Sequence, residues 1–345
     1  RPRGSRRCLS PQSTRRRTCR RRRPRLPQLS PPQGSRLRAA FCLFVRILMK
    51  KRYPIDKSFG IFSHFRLPSL PHFWLPGANA ALSLVSKGGR GVAVRRVNAD
   101  GVRVFLISPE EAEGKLPCLV YFHGGGFVFR AARYHYRNAA EYARTGCRVL
   151  FVDYRLAPKH PYPEPNDDCY TAYRWVTEHA SEYAIDPARL AVGGDSAGGC
   201  LAADVVRRAE EEGLPKPVFL MLVYPVLDRR MQTRSMAEYS DTPVWNARLN
   251  AKMWAYYLAG REYVSPSEWT DLGCFPPAYL ETAEFDCLHD EGVAFAVSLR
   301  ARGNYAMLRE TKGTMHGYDF VRKSPLTKES LAARCEVLKT VFKLT

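Results

Sequence analysis

The first 48 residues lack acidic residues and lysine altogether. They contain fifteen Arg, with RRR at 15–17 and RRRR at 20–23, among Pro-rich stretches. Removing these fifteen charges from the net +21 leaves +6 for residues 49–345. With so few apolar residues to offset the entropy of ordering, we expect residues 1–48 to be disordered. Because the remainder is only mildly basic, we expect no nucleic-acid partner for the folded domain.

The origin of residues 1–48 has two interpretations. Their Arg-rich, acid-free composition is typical of transit peptides and of basic arms that bind nucleic acid. The chain opens on Arg1, however, and Met49-Lys50-Lys51 resembles a natural start. We therefore favour upstream or non-native sequence over a targeting segment.

Long apolar runs, paired cysteines and phosphate-binding loops are also missing. The stretch at 39–49 is interrupted by Arg46, and no segment approaches the run of about 18 apolar residues that spans a bilayer. The ten Cys show no CxxC pair and no zinc-type spacing with His, and neither GxGxxG nor GxxxxGK occurs. We expect a soluble, cytoplasmic protein with reduced thiols and with no metal, nucleotide or other cofactor.

From Ala93 onward, short β-branched segments alternate with helical stretches. This alternation is typical of an α/β fold with a mainly parallel central sheet and helices on both faces. The first two strands, from Val92 and Val102, predict an antiparallel hairpin at the sheet edge. After a predicted strand at 218–227, about fifty residues leave this rhythm. We interpret 228–270, together with about 49–85, as a helical cap on one domain that spans 49–345.

The segment Gly194-Asp195-Ser196-Ala197-Gly198 matches GxSxG and lies between a predicted strand and a predicted helix. In that context the glycines permit a tight, strained turn that exposes a serine nucleophile. We therefore predict that Ser196 is the nucleophile and that the N–H of Ala197 donates to an oxyanion. Asp195 is expected to be structural.

The segment His123-Gly124-Gly125-Gly126-Phe127 directly follows a predicted buried strand, 73 residues before the serine. Chance would give HGGG only about 0.003 times in a chain of this composition. Glycines let backbone N–H groups converge on a developing oxyanion. Gly125 and Gly126 are the favoured donors, with Gly124 as a further option.

A histidine and an acid complete the chain order nucleophile, acid, histidine that this kind of site requires. His316 follows the last predicted strand and precedes Gly317, and Asp286 closes the strand at 278–285. We predict His316 as general base and Asp286 as the acid that orients it. The competing acids are Glu284, which should point away from the loop, Asp290, expected to cap the next helix, and Glu291.

With these residues placed, the chain resembles the hormone-sensitive lipase-like family of α/β-hydrolase esterases, which includes bacterial acetyl-esterase-type enzymes. The resemblance covers about 77–345 and rests on HGGGF at 123–127, DYRLAP at 153–158, GDSAGG at 194–199, DCLHDEG at 286–292 and HGY at 316–318. Cys287 and Tyr318 stand where the family usually has Pro and Phe, which puts the loop shape and the pocket polarity in question.

The resemblance implies an α/β-hydrolase fold with a cap over a short or medium acyl pocket. Phe127, Trp245 and Tyr318 are the predicted substrate-binding residues, and further candidate lining residues are Phe73, Trp74, Trp254, Tyr256 and Tyr257. We expect a serine carboxylesterase that hydrolyses short- to medium-chain esters through an acyl-enzyme, with a small-molecule ester as its partner. Amide or lactone hydrolysis, a non-catalytic ligand-binding receptor of the same fold, and a homodimer stay open as alternatives.

Overall fold

The computed structural model describes residues 53–66, 71–273 and 275–344. The predictions for residues 1–48, for a start at Met49 and for the first residues of the cap lie outside these ranges. Every helix within them is too short or too polar to cross a bilayer.

The described residues form one eight-stranded sheet in the order β1-β2-β4-β3-β5-β6-β7-β8. Strands β1 and β2 form an antiparallel hairpin, β2 pairs antiparallel with β4, and all further pairs are parallel. The predicted edge hairpin and the mainly parallel sheet are therefore confirmed. The strands are β1 (Val92–Ala99), β2 (Val102–Pro109), β3 (Leu116–Phe122), β4 (Arg148–Val152), β5 (Ile185–Asp195), β6 (Phe219–Val223), β7 (Ala278–Phe285) and β8 (Ala306–Met315).

The α-helices of the described residues connect these strands or lie in the segments predicted to form a cap. Short 3-10 helices occur at Lys57–Ser63, His72–Trp74, Ala180–Tyr183, Pro266–Glu268 and Tyr318–Phe320. The α-helices are α1 (Leu75–Ser83), α2 (Arg133–Ala143), α3 (Glu164–His179), α4 (Ala197–Glu211), α5 (Arg234–Glu238), α6 (Ala247–Leu258), α7 (His289–Ala301) and α8 (Pro325–Phe342).

Both faces of the sheet are buried, as the strand sequences predict. On β3, Val120 and Phe122 pack into one hydrophobic core, whereas Leu119 and Tyr121 pack into a second core on the other face. Side chains of α3 and α4 contribute to the first core, and those of α2 and α8 contribute to the second. The helices therefore cover the sheet on both sides.

Strands β6 and β8 end four and five residues away from their predicted ends, and β5 begins at Ile185, five residues before the predicted segment at 190–194. Strand β6 ends at Val223 instead of continuing to residue 227, because Tyr224 has a φ of 34° and Pro225 has no N–H to donate to a ladder. Strand β8 extends beyond the predicted segment at 305–310 and reaches Met315. The longer β8 brings the chain directly to His316.

Candidate active site

The predicted nucleophile lies on a strained turn between β5 and α4. Ser196 has φ 53° and ψ −120°, and its N–H donates a 2.8 Å hydrogen bond to the carbonyl of Val223. A positive φ is unfavourable for a residue with a Cβ, so the fold must hold this conformation in place. A Cβ on Gly198 would collide with the carbonyl of Phe122, which explains why glycine follows two residues later.

Ser196, His316 and Asp286 meet at the carboxyl edge of the sheet. In sequence, His316 lies 120 residues after Ser196 and 30 residues after Asp286. The Ser196 Oγ lies 2.9 Å from His316 Nε2, and His316 Nδ1 lies 2.7 Å from Asp286 Oδ2. Their exposed fractions are 4%, 6% and 0%. A proton on Nδ1, donated to the carboxylate, leaves Nε2 free to accept the serine proton.

The three competing acids have other partners. Glu284 accepts a hydrogen bond from the N–H of Gly313 at 2.7 Å, and Glu291 accepts one from the N–H of Leu227 at 2.6 Å. Asp290 lies in the first turn of α7 and accepts from a backbone N–H at 2.8 Å. The prediction that Asp290 caps this helix was wrong, because Leu288 occupies the N-cap.

The glycine loop lies against the serine turn. A Cβ on Gly124 would stand 3.1 Å from the Cβ of Ser196. Gly125 has a φ of 118°, which only glycine adopts readily, and a Cβ there would come within 2.7 Å of the carbonyl of Phe129. The local sequence HGGGF thus permits a backbone path that residues with side chains could not follow.

Both ends of the glycine loop are fixed by hydrogen bonds from the segment after β4. The Tyr154 hydroxyl donates to the carbonyl of His123 at 2.7 Å, and the N–H of Ala157 donates to the carbonyl of Phe127 at 2.9 Å. Burial, aided by the neighbouring His135, lowers the pKa of His123 to about 4. His123 is therefore neutral near pH 7 and adds no charge to the loop.

Asp195, which precedes the serine, is held in its own buried network. It accepts a 2.7 Å hydrogen bond from the hydroxyl of Tyr121, and its Oδ2 lies 3.1 Å from His135 Nε2. Burial alone would raise its pKa, but the interaction with His135 and the hydrogen bonds from His135 and Tyr121 lower the pKa below its ordinary value. These contacts agree with the structural role predicted for Asp195.

Trp245 covers the site from the segment between α5 and α6. Its indole ring centroid lies 6.0 Å from that of His316, and its Cη2 atom lies 2.7 Å from where a Cβ on Gly126 would stand. The indole N–H donates to Asn250 Oδ1 at 3.2 Å. Trp245 is thus the predicted substrate-binding residue whose side chain borders both the histidine and the glycine loop.

A strained turn that the sequence did not reveal carries this tryptophan. Val244 has a φ of 64°, and the N–H of Trp245 bonds to the carbonyl of Pro243 at 2.7 Å. This i to i+2 bond around a positive φ has the pattern of the rare γ-turn, which is costly for a β-branched residue. Such strain often marks a segment that function constrains.

Tyr318 does not line the site, and its predicted substrate contact needs correction. Its side chain is fully buried, and its hydroxyl donates to Glu281 Oε1 at 2.5 Å, beside Arg334. The 3-10 helix Tyr318–Phe320 begins directly after Gly317 and turns the ring into the core. Adjacency to His316 in sequence was therefore a misleading signal.

The other aromatic candidates also divide between core and surface. Phe127 is fully buried and stacks on Tyr257, with ring centroids 3.8 Å apart. Trp254 joins the same buried cluster. Phe73 and Trp74, with exposed fractions of 75% and 54%, are surface residues. The structure therefore gives no support for these four as pocket walls.

Tyr224 is a neighbour of the histidine that the sequence did not single out. Its ring lies 4.8 Å from that of His316 in an edge-on arrangement, and its hydroxyl donates to Asp319 Oδ1 at 2.6 Å. The Tyr-Pro pair directly after β6 was the available signal, because a residue at the carboxyl end of a parallel strand faces the site.

Comparisons with known proteins agree with this fold. A family model described as "alpha/beta hydrolase fold" matches residues 119–320. The chain belongs to this family. Its match covers more than half of the sequence, and the motifs around Ser196 and the glycine loop assign it to the hormone-sensitive lipase-like esterases.

Individual relatives carry esterase names. The carboxylesterase NlhH of Mycobacterium tuberculosis is 36% identical over 262 residues, which cover 71% of this chain and 81% of the relative. An ethyl acetate hydrolase of Pseudomonas putida is 32% identical over 74% of this chain and 79% of its own length. A solved bacterial heroin esterase superposes with a TM-score of 0.75 at 34% identity, over 84% of this chain and 98% of the other.

The candidate active site described above consists of side chains and backbone N–H groups. In the described ranges, no group of three or more His, Cys, Asp and Glu residues has the arrangement of a metal site. The six described cysteines are Cys118, Cys147, Cys169, Cys200, Cys287 and Cys335, and each is a free thiol.

Proposed function

We propose that the chain is a serine carboxylesterase in which Ser196 is the nucleophile, His316 the general base and Asp286 the orienting acid. The chain is a carboxylic ester hydrolase of the α/β-hydrolase fold. The observation that carries the residue roles is the continuous hydrogen-bond chain of 2.9 Å and 2.7 Å through the imidazole of His316. Nucleophile, base and orienting group within hydrogen-bond reach are what activation of a serine requires.

The reaction follows from these contacts. Ser196 Oγ attacks the ester carbonyl while its proton passes to His316 Nε2. The tetrahedral intermediate collapses, and the imidazolium returns that proton to the departing alcohol, which leaves an acyl-serine ester. Water then attacks the acyl group with the same proton transfers and releases the carboxylic acid. Asp286 remains ionised and stabilises the imidazolium at each step.

The oxyanion that forms twice in this cycle needs donors that are already in position. We assign this role to the N–H groups of Gly125, Gly126 and Ala197, with Gly124 as a further candidate. The contact between Gly124 and Ser196, and the position of Ala197 at the start of α4, support the assignment. One such donor typically contributes about 2.7–4 kcal/mol to stabilising the transition state.

We propose short- to medium-chain esters as substrates. Ser196 has an exposed fraction of only 4%, and the Trp245 indole covers the glycine loop beside it. Little room is therefore left for a bulky group next to the nucleophile. The name of the related ethyl acetate hydrolase fits a small acyl group. Trp245 is the substrate-binding residue of this proposal.

The nucleophile is tested by Ser196→Ala. We expect hydrolysis of p-nitrophenyl acetate to fall by about three orders of magnitude or more, with an unchanged circular dichroism spectrum. Exposed Ser181→Ala serves as the control and should retain full activity. Wild-type turnover in Ser196→Ala would reject the assignment. Rates on matched esters and anilides test the preference for esters over amides.

The cellular location, the extent of the cap and the oligomeric state stay predictions. The six free thiols fit a cytoplasmic location. Residues 49–85 and 228–270 are proposed to form the cap, and a homodimer stays open. A chain that begins at Met49 should keep full esterase activity if residues 1–48 do not contribute to the site.

A further inference from the structure

A cavity of about 700 Å³ lies beside the carboxyl end of β4. It opens between the cap-segment helix α1 and the segment at 153–160. Its volume is within the range of about 300–1,000 Å³ that is typical of small-molecule sites. The cavity therefore has room for an organic ligand rather than for a few waters alone.

This cavity is separate from the candidate active site. Its lining includes none of the predicted catalytic or oxyanion-hole residues. Tyr154 and Ala157 belong to its wall, and both donate hydrogen bonds to the glycine loop, to the carbonyls of His123 and Phe127. The wall is thus joined to the glycine loop by these two hydrogen bonds, while Ser196 is not part of the lining.

One part of the wall is apolar. Leu75 and Pro76 at the start of α1 line it, together with Val102 at the start of β2 and Leu156. Leu75 and Val102 are buried, and their side chains belong to the hydrophobic core around the sheet. An alkyl group that occupied this part would be removed from water on binding, which is favourable in proportion to the apolar area buried.

The other part of the wall carries an excess of positive charge. Arg103 Nε donates to Asp153 Oδ2 at 2.6 Å, and Arg130 Nη1 donates to Asp153 Oδ1 at 3.0 Å. One carboxylate thus serves two guanidinium groups, which leaves one positive charge unmatched. Lys159, an exposed lining residue, adds a second.

The remaining lining arginine does not add to this excess. Arg155 Nη2 donates to Asp168 Oδ1 at 2.7 Å, and its Nη1 donates to Glu164 at 2.8 Å. Of the charged lining residues, four are Arg or Lys and two are Asp. The surplus therefore comes from Arg103, Arg130 and Lys159, which line the same cavity as the apolar residues.

We infer that this cavity is a second binding site, which takes an amphipathic carboxylate. The carboxylate group binds at Arg103, Arg130 and Lys159, and the alkyl chain packs against Leu75 and Pro76. Guanidinium groups suit a planar carboxylate because their N–H donors match its two oxygens. Under the proposed function, acids of this class are also released by ester hydrolysis, but the site itself does not depend on that activity.

Calorimetric titration with sodium octanoate tests the inference once the active site is blocked. Diethyl p-nitrophenyl phosphate is first reacted with the full chain, and the mass gain on Ser196 is measured. A missing mass gain would count against the proposed nucleophile, and the titration would then use Ser196→Ala. We expect the blocked protein to bind octanoate, and to bind neutral octanamide about tenfold more weakly because charge-assisted hydrogen bonds are lost.

Two matched variants locate the binding. Pro76→Trp, in the exposed first turn of α1, places an indole in the cavity and should abolish octanoate binding. Ala80→Trp, an exposed position on the same helix outside the lining, should retain it. Two charge-reversal variants form a second matched comparison. Lys159→Glu should weaken octanoate binding, whereas Lys328→Glu, at an exposed position outside the lining, should leave it unchanged. The absence of binding to the blocked protein, or equal affinity in Pro76→Trp and Ala80→Trp, would overturn the inference.

Discussion

Removing the charge of Arg334 should strongly destabilise the protein. Arg334 on α8 has an exposed fraction of 0%, and its Nη2 donates to Glu281 Oε1 at 2.5 Å. Its Nη1 donates to Asp319 Oδ2 at 2.7 Å. Burial alone would raise the pKa of Glu281, but the Arg334 charge, with hydrogen bonds from Arg334, Tyr279 and Tyr318, lowers it. Glu281 is therefore ionised, and both it and Asp319 have the buried Arg334 as their cationic partner.

The expected magnitude follows from what Arg334→Met leaves behind. Methionine retains most of the apolar stem but leaves Glu281 and Asp319 without a cation in a site closed to water. Loss of one partner from a buried ion pair typically costs about 3–5 kcal/mol. Because a domain is stabilised by only about 5–15 kcal/mol, this change would remove roughly a fifth or more of the free energy of unfolding.

Urea unfolding followed by tryptophan fluorescence measures this loss, and Arg174→Met is the control. Arg174 pairs with Asp100 at 3.3 Å on the surface, so its loss should cost less than about 1 kcal/mol. Adding Glu281→Gln to Arg334→Met should recover stability, because one uncompensated charge is removed. A cost below about 1 kcal/mol for Arg334→Met, or no recovery in the double variant, would refute the reasoning.

Three further predictions concern other parts of the molecule. Gly126→Ala should lower kcat/KM for p-nitrophenyl acetate about tenfold or more, since the new Cβ would stand 2.7 Å from Trp245 Cη2; if adding Trp245→Ala restores nothing, the steric explanation fails. Asp286→Asn should lower kcat about 10⁴-fold by disturbing the tautomer of His316, and a loss below tenfold would count against its orienting role. Burial raises the pKa of Asp204 to about 6, so its contribution to stability is present below about pH 4 and is lost as the pH rises through 6. Asp204→Asn should therefore gain about 1–2 kcal/mol over the parent between pH 4 and 7 in urea titrations, and a pH-independent difference would contradict this.

The parts of the site that short segments encode could be predicted from the sequence. GxSxG and HGGGF specify their own backbone paths, because the glycines permit turns and close approaches that other residues would block. The strand before HGGGF is a continuous apolar run and was placed within two residues, whereas β5 begins five residues before the segment predicted at 190–194. Asp286 and His316 followed from strand ends, since parallel strands present their carboxyl ends at one edge.

The parts that depend on packing between distant segments could not be predicted. Tyr318 lies two residues after His316, yet its side chain turns into the core towards Glu281. The strain at Val244, which aims Trp245 at the site, has no signature in a Val-Trp pair. The unmatched charge near Asp153 arises only where two strand-end segments and a loop converge.

Each buried acid near the site has its own hydrogen-bond donors, and these donors come from segments that no single motif contains. Asp195 is matched by His135 and Tyr121, whereas Asp319 is matched by Arg334 and also accepts from Tyr224. Asp286 accepts a 3.0 Å bond from the N–H of Leu288 through Oδ1, which leaves Oδ2 for His316. A buried carboxylate without its own donors would compete for the imidazole proton, because an uncompensated charge in a dry site is costly. Because the other acids have their own donors, Asp286 is the carboxylate that holds His316 Nδ1, and this bond directs Nε2 at Ser196.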